Sequence, residues 1–147
     1  MGTIVRSALV GYGAPQMYAL VEAIEAYPEF LPWCRSSEVI ERRDGSTTAR
    51  LAVGLKGVNQ SFTTQNLNRP GESIELRLDD GPFSRFGAAW KFQALGEHAS
   101  RIEFSMTYEL SGGLLAKVLN PLFDHIADTM VEAFIERAKA AYGPPQD

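Results

Sequence analysis

The chain has 147 residues, an apolar fraction of 45%, a charged fraction of 22% and a formal net charge of −4. That length suits one domain able to bury about 68–70% of its unfolded surface, and the acidic balance argues against a sequence-independent grip on nucleic acid, so no DNA partner is expected. The lone cysteine, Cys34, excludes an intrachain disulfide framework and suits a reducing compartment.

No apolar run nears the roughly 18 residues of a membrane span. The start, Met1-Gly2-Thr3-Ile4-Val5-Arg6-Ser7, has neither the apolar core nor the cleavage site of a signal peptide. A cytoplasmic protein is expected. Residues 3–10 read as a first strand. Residues 14–26 follow with Met17, Leu20, Val21 and Ile24 at helical spacing, opened by Ala14-Pro15. The run Tyr27-Pro28-Glu29-Phe30-Leu31-Pro32-Trp33-Cys34 is too rich in proline for a long element, and one short helical turn between the prolines is expected.

From there the chain reads as a meander. Strands near 37–43 and 47–55 flank Asp44-Gly45, a two-residue hairpin signal. Gly54 and Gly57 frame the next turn, before a strand over 58–68. Arg69-Pro70-Gly71-Glu72 turns into 73–79, Asp80-Gly81-Pro82-Phe83 leads to 86–95, and Gly96-Glu97-His98 leads to 100–110. Large apolar residues recur at even positions: Ile74, Leu76 and Leu78, then Trp90 and Phe92, then Ile102, Phe104, Met106 and Tyr108. Such a sheet has one buried and one wet face.

The last third carries Leu115, Val118, Leu119, Leu122, Ile126, Met130, Ala133 and Phe134 at helical spacing, bounded by Gly112-Gly113 and Gly143-Pro144. Pro121 interrupts this run. Because Val118, Leu122 and Ile126 stay in phase across the proline, the pattern favours one kinked helix over two. The expected fold is an α+β layer: an antiparallel sheet with a long C-terminal helix on one face, as a single domain over 1–143, with 144–147 a disordered tail.

A helix over a one-sided sheet either fills a solid core or encloses an apolar chamber, and periodicity alone leaves both open. The strand 58–68 places Gln60, Thr64 and Asn66 on the same parity as Phe62. Inward amides need partners, and a ligand carbonyl in a chamber would supply them. A mostly apolar pocket with a few placed polar groups describes a small-molecule site.

Catalytic signatures are thin. His98 falls in a tight turn, and His125 lies one position off the apolar stripe. Asp124, His125 and Asp128 make too few convergent ligands for a metal, so none is expected. Cys34 between Trp33 and Arg35 reads as a packed thiol, since no base is placed beside it.

An ordered set of strings is more specific: Tyr27-Pro28-Glu29-Phe30-Leu31-Pro32-Trp33-Cys34, Phe62-Thr63, Gly81-Pro82-Phe83, Trp90 with Phe92, Tyr108-Glu109, Ala133-Phe134 with Arg137-Ala138, and Tyr142-Gly143. Together they resemble the coenzyme Q-binding protein family, whose bacterial members are also called RatA-type toxins, within the START-like (polyketide cyclase/dehydrase-type) helix-grip superfamily. The resemblance spans roughly residues 3 to 143. It implies a seven-stranded antiparallel sheet wrapped around the C-terminal helix, with a lipophilic cavity between them. It also implies non-enzymatic binding of ubiquinone or a related polyprenyl lipid, supporting quinone delivery to respiration or quinone biosynthesis. No separate cofactor is called for; ubiquinone enters as the bound ligand.

On that reading the isoprenoid lies along Leu115, Val118, Leu122 and Ile126, facing Trp90, Phe92, Phe104 and Met106. The ring sits near Trp33, Gln60 and Phe83, with Phe62, Leu76 and Leu78 completing the wall. Each buried CH₂ contributes about 0.8 kcal/mol. Transient contact with a membrane surface, peripheral to the inner membrane, goes with such a ligand. The family's second label implies a ribosomal partner and a block of subunit association. A cyclase- or hydratase-type enzyme with His125 as base is the third alternative.

Overall fold

The computed structural model describes residues 2–145. Seven strands form one antiparallel sheet in the order β1-β7-β6-β5-β4-β3-β2: β1 (Gly2–Val10), β2 (Cys34–Arg43), β3 (Ser46–Leu55), β4 (Val58–Arg69), β5 (Ser73–Asp80), β6 (Phe83–Gly96) and β7 (Ala99–Leu110). The strands from β2 to β7 follow each other as hairpins. The segment between β1 and β2 joins the two edges through α1 (Ala14–Glu22) and a 3-10 turn, Ile24–Glu29. The long helix α2 (Gly113–Tyr142) closes the molecule.

Local chemistry sets the boundaries. At the start of α1 the Gln16 side chain reaches back, its Oε1 accepting from the Gly13 N–H at 3.0 Å, which occupies a donor the helix leaves free. Gly13 also permits a close approach, because a Cβ there would lie 2.7 Å from the Glu97 carbonyl oxygen. The β3–β4 hairpin turns on Lys56 and Gly57, whose φ values of 51° and 82° are the left-handed pair that a two-residue turn requires. The helical turn expected between Pro28 and Pro32 forms earlier: the 3-10 turn contains Pro28 and ends at Glu29. Phe30 and Leu31 close it, their N–H groups bonding to the Tyr27 carbonyl at 3.2 and 2.9 Å.

The alternation of β7 is realised in full. Ile102, Phe104, Met106 and Tyr108 are all buried, and the residues between them lie on the wet face. β5 and β6 pair only from Ser73↔Lys91 to Arg77↔Gly87. Beyond that point they separate, and Phe83 and Phe86 pack with Phe62 instead, ring centroids 5.9 and 6.0 Å away.

α2 runs unbroken through Pro121 and lays Leu119, Leu122, Phe123, Ile126, Ala127, Val131, Phe134 and Ala138 onto the sheet. Its C-terminal end is fastened: the Tyr12 hydroxyl donates to the Gly143 carbonyl at 2.7 Å, and the Tyr142 hydroxyl donates to the Gln16 carbonyl at 2.9 Å. Its first turns are not. Leu114, Leu115 and Val118 are 78%, 46% and 44% exposed. The stripe keeps its phase there but has lost its cover, because only Ser111 and Gly112 separate β7 from α2 and the helix therefore begins at the rim of the sheet.

Of the tail expected over 144–147, Pro145 lies against Gly11, with its Cβ 2.5 Å from where a Gly11 Cβ would be. Residues 146 and 147 lie outside the described residues. Among the described residues no helix is long and apolar enough to cross a membrane.

Candidate functional site

Between the concave face of the sheet and α2 lies an apolar cavity of about 50 Å³, walled by Tyr27, Trp33, Leu51, Phe62, Leu76, Phe86, Ala88, Trp90, Phe104, Met106, Phe123, Ile126 and Met130. Its walls come from the segment before β2, from β3 through β7, and from the middle of α2. Two aromatic groups meet across it. Phe123 of α2 packs on Phe62 and Phe83, with centroids at 5.7 and 4.9 Å, and on Tyr108 at 6.0 Å. Phe134, about three turns further along α2, packs edge-on to Trp90 at 5.1 Å and Tyr27 at 5.6 Å.

The structure brings together seven of the residues expected at the site: Trp33, Phe62, Leu76, Trp90, Phe104, Met106 and Ile126 all line the cavity. Phe83, Phe92 and Leu122 are buried but stand behind the wall, Phe92 stacked on Trp90 at 6.0 Å and wedged by Tyr18 at 5.8 Å. Leu78 is half-buried beside Gly81, where the β5–β6 ladder has ended. Leu115 and Val118 are displaced from the expected face to the exposed rim.

Gln60 also departs from expectation. It is half-buried, and its Nε2 donates to the neighbouring Ser61 carbonyl at 3.0 Å, so the amide is turned along its own strand. Thr64 and Asn66 do point inward and are buried, but they satisfy each other: Thr64 Oγ1 donates to Asn66 Oδ1 at 2.8 Å. The inward Asn66 carbonyl oxygen therefore has its donor within the chain, and neither residue is left with a buried, unpartnered side-chain atom.

Tyr27, Leu51, Phe86, Ala88, Phe123 and Met130 line the cavity without having been expected there. Some signals were present. Phe86 and Ala88 share the parity of Trp90. Leu51 sits directly opposite Phe62 in the β3–β4 register. Phe123 belongs to the spacing 119, 123, 126, 130, a helical face equal in merit to the one through 118 and 122.

The wall is chemically quiet. Tyr27 is buried, its hydroxyl donates to the Val21 carbonyl, and burial pushes its pKa far above the ordinary tyrosine range. Cys34 is buried, and burial raises its thiol to about 11, which leaves it protonated and unreactive near neutral pH. His125 is exposed on the outer side of α2, and His98 is exposed in the β6–β7 turn. Neither reaches the cavity, so the placement of His125 removes the base on which the cyclase alternative rests. Among the described residues no three His, Cys, Asp or Glu side chains converge as metal ligands.

One polar atom stands out. The indole Nε1–H of Trp33 is the buried side-chain nitrogen or oxygen that has no hydrogen-bond partner among the described residues. A larger cleft of about 470 Å³ runs between α2 and the β1/β7 edge, past Ile4, Tyr108, Leu110, Ala116, Asn120 and Asp124. It is open to solvent, and Tyr108 and Asp124 are bonded to each other across it. It offers no enclosure for an apolar ligand.

Residues 10–135 match the family model described as polyketide cyclase/dehydrase and lipid transport. The chain is 45% identical to the ribosome association toxin RatA of Pseudomonas aeruginosa, over 95% of this chain and 97% of that protein. It is 30% identical to a mitochondrial coenzyme Q-binding protein of Drosophila melanogaster, over 95% of this chain and 60% of that protein. A START superfamily protein from Mycobacterium smegmatis matches with a TM-score of 0.78 at 21% identity, covering 94% of this chain and 97% of the other, a likeness of fold.

Proposed function

Because the chain belongs to the polyketide cyclase/dehydrase and lipid transport family, we propose that it binds a hydrophobic ligand, ubiquinone or a related polyprenyl lipid, under α2 and passes it on without transforming it. The observation that carries this reading is the cavity wall: apolar and aromatic on every side, with no free acid, base or nucleophile among its residues. Acid–base and nucleophilic catalysis both need such a group within hydrogen-bond reach of the reacting atom. The relative named as a coenzyme Q-binding protein supports the choice of ligand.

At about 50 Å³ the cavity is far below the roughly 300–1,000 Å³ of drug-sized ligand sites. Binding therefore requires the wall to move. Met106 and Met130 are the side chains best suited to repack, being unbranched and flexible. Quinone delivery goes with a cytoplasmic protein that touches the inner membrane transiently. Organic extraction of natively purified protein, followed by mass spectrometry, tests the reading. A co-purifying quinone or polyprenyl lipid is expected; its repeated absence, together with no binding of added ubiquinone-1, would sink it.

A second reading has its own support. The Pseudomonas relative, similar along its whole length, is named a ribosome association toxin. On this reading the chain acts on ribosomes and blocks subunit association. With a net charge of −4 the contact would be with ribosomal protein rather than with the RNA backbone. Co-sedimentation with isolated subunits at moderate salt is the expected result, and its absence would dispose of the idea.

A further inference from the structure

We propose that Trp33 selects the ligand's head group by donating a hydrogen bond from Nε1 to an acceptor oxygen on a flat, uncharged ring; the inference rests on the reading that the chamber holds a hydrophobic ligand. Trp33 is 2% exposed, lines the cavity, and carries the one orphaned buried side-chain nitrogen or oxygen among the described residues. Buried polar groups in folded proteins are nearly always paired, and an exception calls for an explanation. An indole N–H donates and cannot accept, so whatever completes it must bring an acceptor.

The main chain that carries the indole is held in place. Cys34 N–H bonds to the Leu31 carbonyl at 2.9 Å, and the Trp33 carbonyl accepts from Gly54 N–H at 2.8 Å. Trp33 is thus clamped between the bend before β2 and the end of β3, and the donor is positioned before any ligand arrives. Such preorganisation lowers the ordering cost of binding.

The remaining wall narrows the class. Phe62, Phe86, Trp90, Phe104 and Phe123 favour a planar ring, which aromatic faces and edges pack well. No Lys, Arg or His is among the lining residues. A carboxylate or phosphate head would be an unpaired buried charge, which is far costlier than a buried carbonyl. Fatty-acid and phospholipid heads are therefore disfavoured, and a ring carbonyl of the quinone type is the group that fits.

The test uses the full chain, ubiquinone-1 as the acceptor-bearing probe and farnesene as an oxygen-free isoprenoid. The two tryptophans, Trp33 and Trp90, give two indole N–H signals in a proton–nitrogen NMR spectrum, and Trp33→Phe assigns them. Ubiquinone-1 is expected to move the Trp33 indole proton downfield, and farnesene is not. Trp33→Phe is expected to weaken ubiquinone-1 about 3- to 10-fold relative to farnesene, the range of one net hydrogen bond.

Ubiquinone-1 binding that leaves the Trp33 signal in place, or an unchanged ratio in Trp33→Phe, would overturn the inference while the ligand-binding reading stands. Failure of both probes to bind, with nothing in the extract, removes both. Should the variant not fold, the wild-type NMR titration decides alone.

Discussion

At the scale of single residues, the buried polar groups of this protein are almost all accounted for within the chain. Thr64 bonds Asn66, Ser100 Oγ donates to the Tyr12 carbonyl at 2.8 Å, and Asn68 Nδ2 donates to Thr47 Oγ1 at 2.9 Å. Against that background the lone Trp33 N–H carries meaning. Cys34 shows the opposite behaviour: it is a potentially reactive group silenced by burial, which lifts its thiol from the ordinary 9.0 to about 11 and outweighs a backbone hydrogen bond at Ser36 that acts the other way.

Two consequences follow for Cys34. Alkylation by iodoacetamide at pH 8 is expected to run about 100-fold slower in the folded protein than in urea, from the thiolate fraction alone. Because the folded pKa is raised, the group's contribution to stability is complete below about pH 9 and is lost as pH rises through about 11. Urea titrations across that window are expected to show a smaller loss for Cys34→Ala than for wild type. Equal losses would mean that the thiol is not the titrating group.

At the scale of elements, α2 divides into a covered and an uncovered part. Phe123 is 0% exposed and wedged among Phe62, Phe83 and Tyr108. Replacing it with alanine is expected to cost about 3–5 kcal/mol, the transfer and cavity cost of a large buried ring. Leu115, in the same periodic stripe but 46% exposed, is expected to change stability by about 0.5 kcal/mol or less as alanine. Equilibrium denaturation of the two variants checks the difference, and comparable losses would show that the first turns of α2 are packed after all.

The same helix carries Pro121, which cannot donate to the Lys117 carbonyl one turn back. The weakened turn lies between the rim and the covered part, while the other end is tied down by Tyr12 and Tyr142. If α2 yields to let a ligand in, its N-terminal end is the less restrained one.

At the scale of the whole molecule, the sheet and α2 meet over aromatic rings and leave a small apolar gap. Ala88 on β6 lines that gap and is 7% exposed. Ala88→Val adds two methyl groups on a strand, where a β-branched residue is favoured. The variant is expected to be as stable as wild type or up to about 1 kcal/mol more stable, while ubiquinone-1 affinity falls about 10-fold or more. Thermal melts and binding titrations read the two effects separately, and undiminished affinity would place the ligand elsewhere.

How much of this was legible beforehand depends on the range of the interaction. Strand alternation, the glycine-marked hairpins and the phase of α2 across Pro121 are properties of neighbours along the chain, and the sequence alone determined them. With them came the sheet-and-helix architecture and the aromatic inner face of β6 and β7. The Tyr27–Cys34 string also marked the segment that supplies Tyr27 and Trp33 to the cavity.

Only the tertiary structure decided which members of those faces reach the gap. Leu115 and Val118 have the right phase, but a periodic pattern does not say where the opposing sheet stops. Gln60 has the right parity, but its amide found a carbonyl on its own strand. Phe86 has the parity of Trp90, but its packing against Phe62 depends on the β5–β6 ladder ending at Arg77 and Gly87. The same holds for the orphaned indole: an N–H is unpaired only relative to everything packed around it, and that is fixed by contacts between residues far apart in the chain.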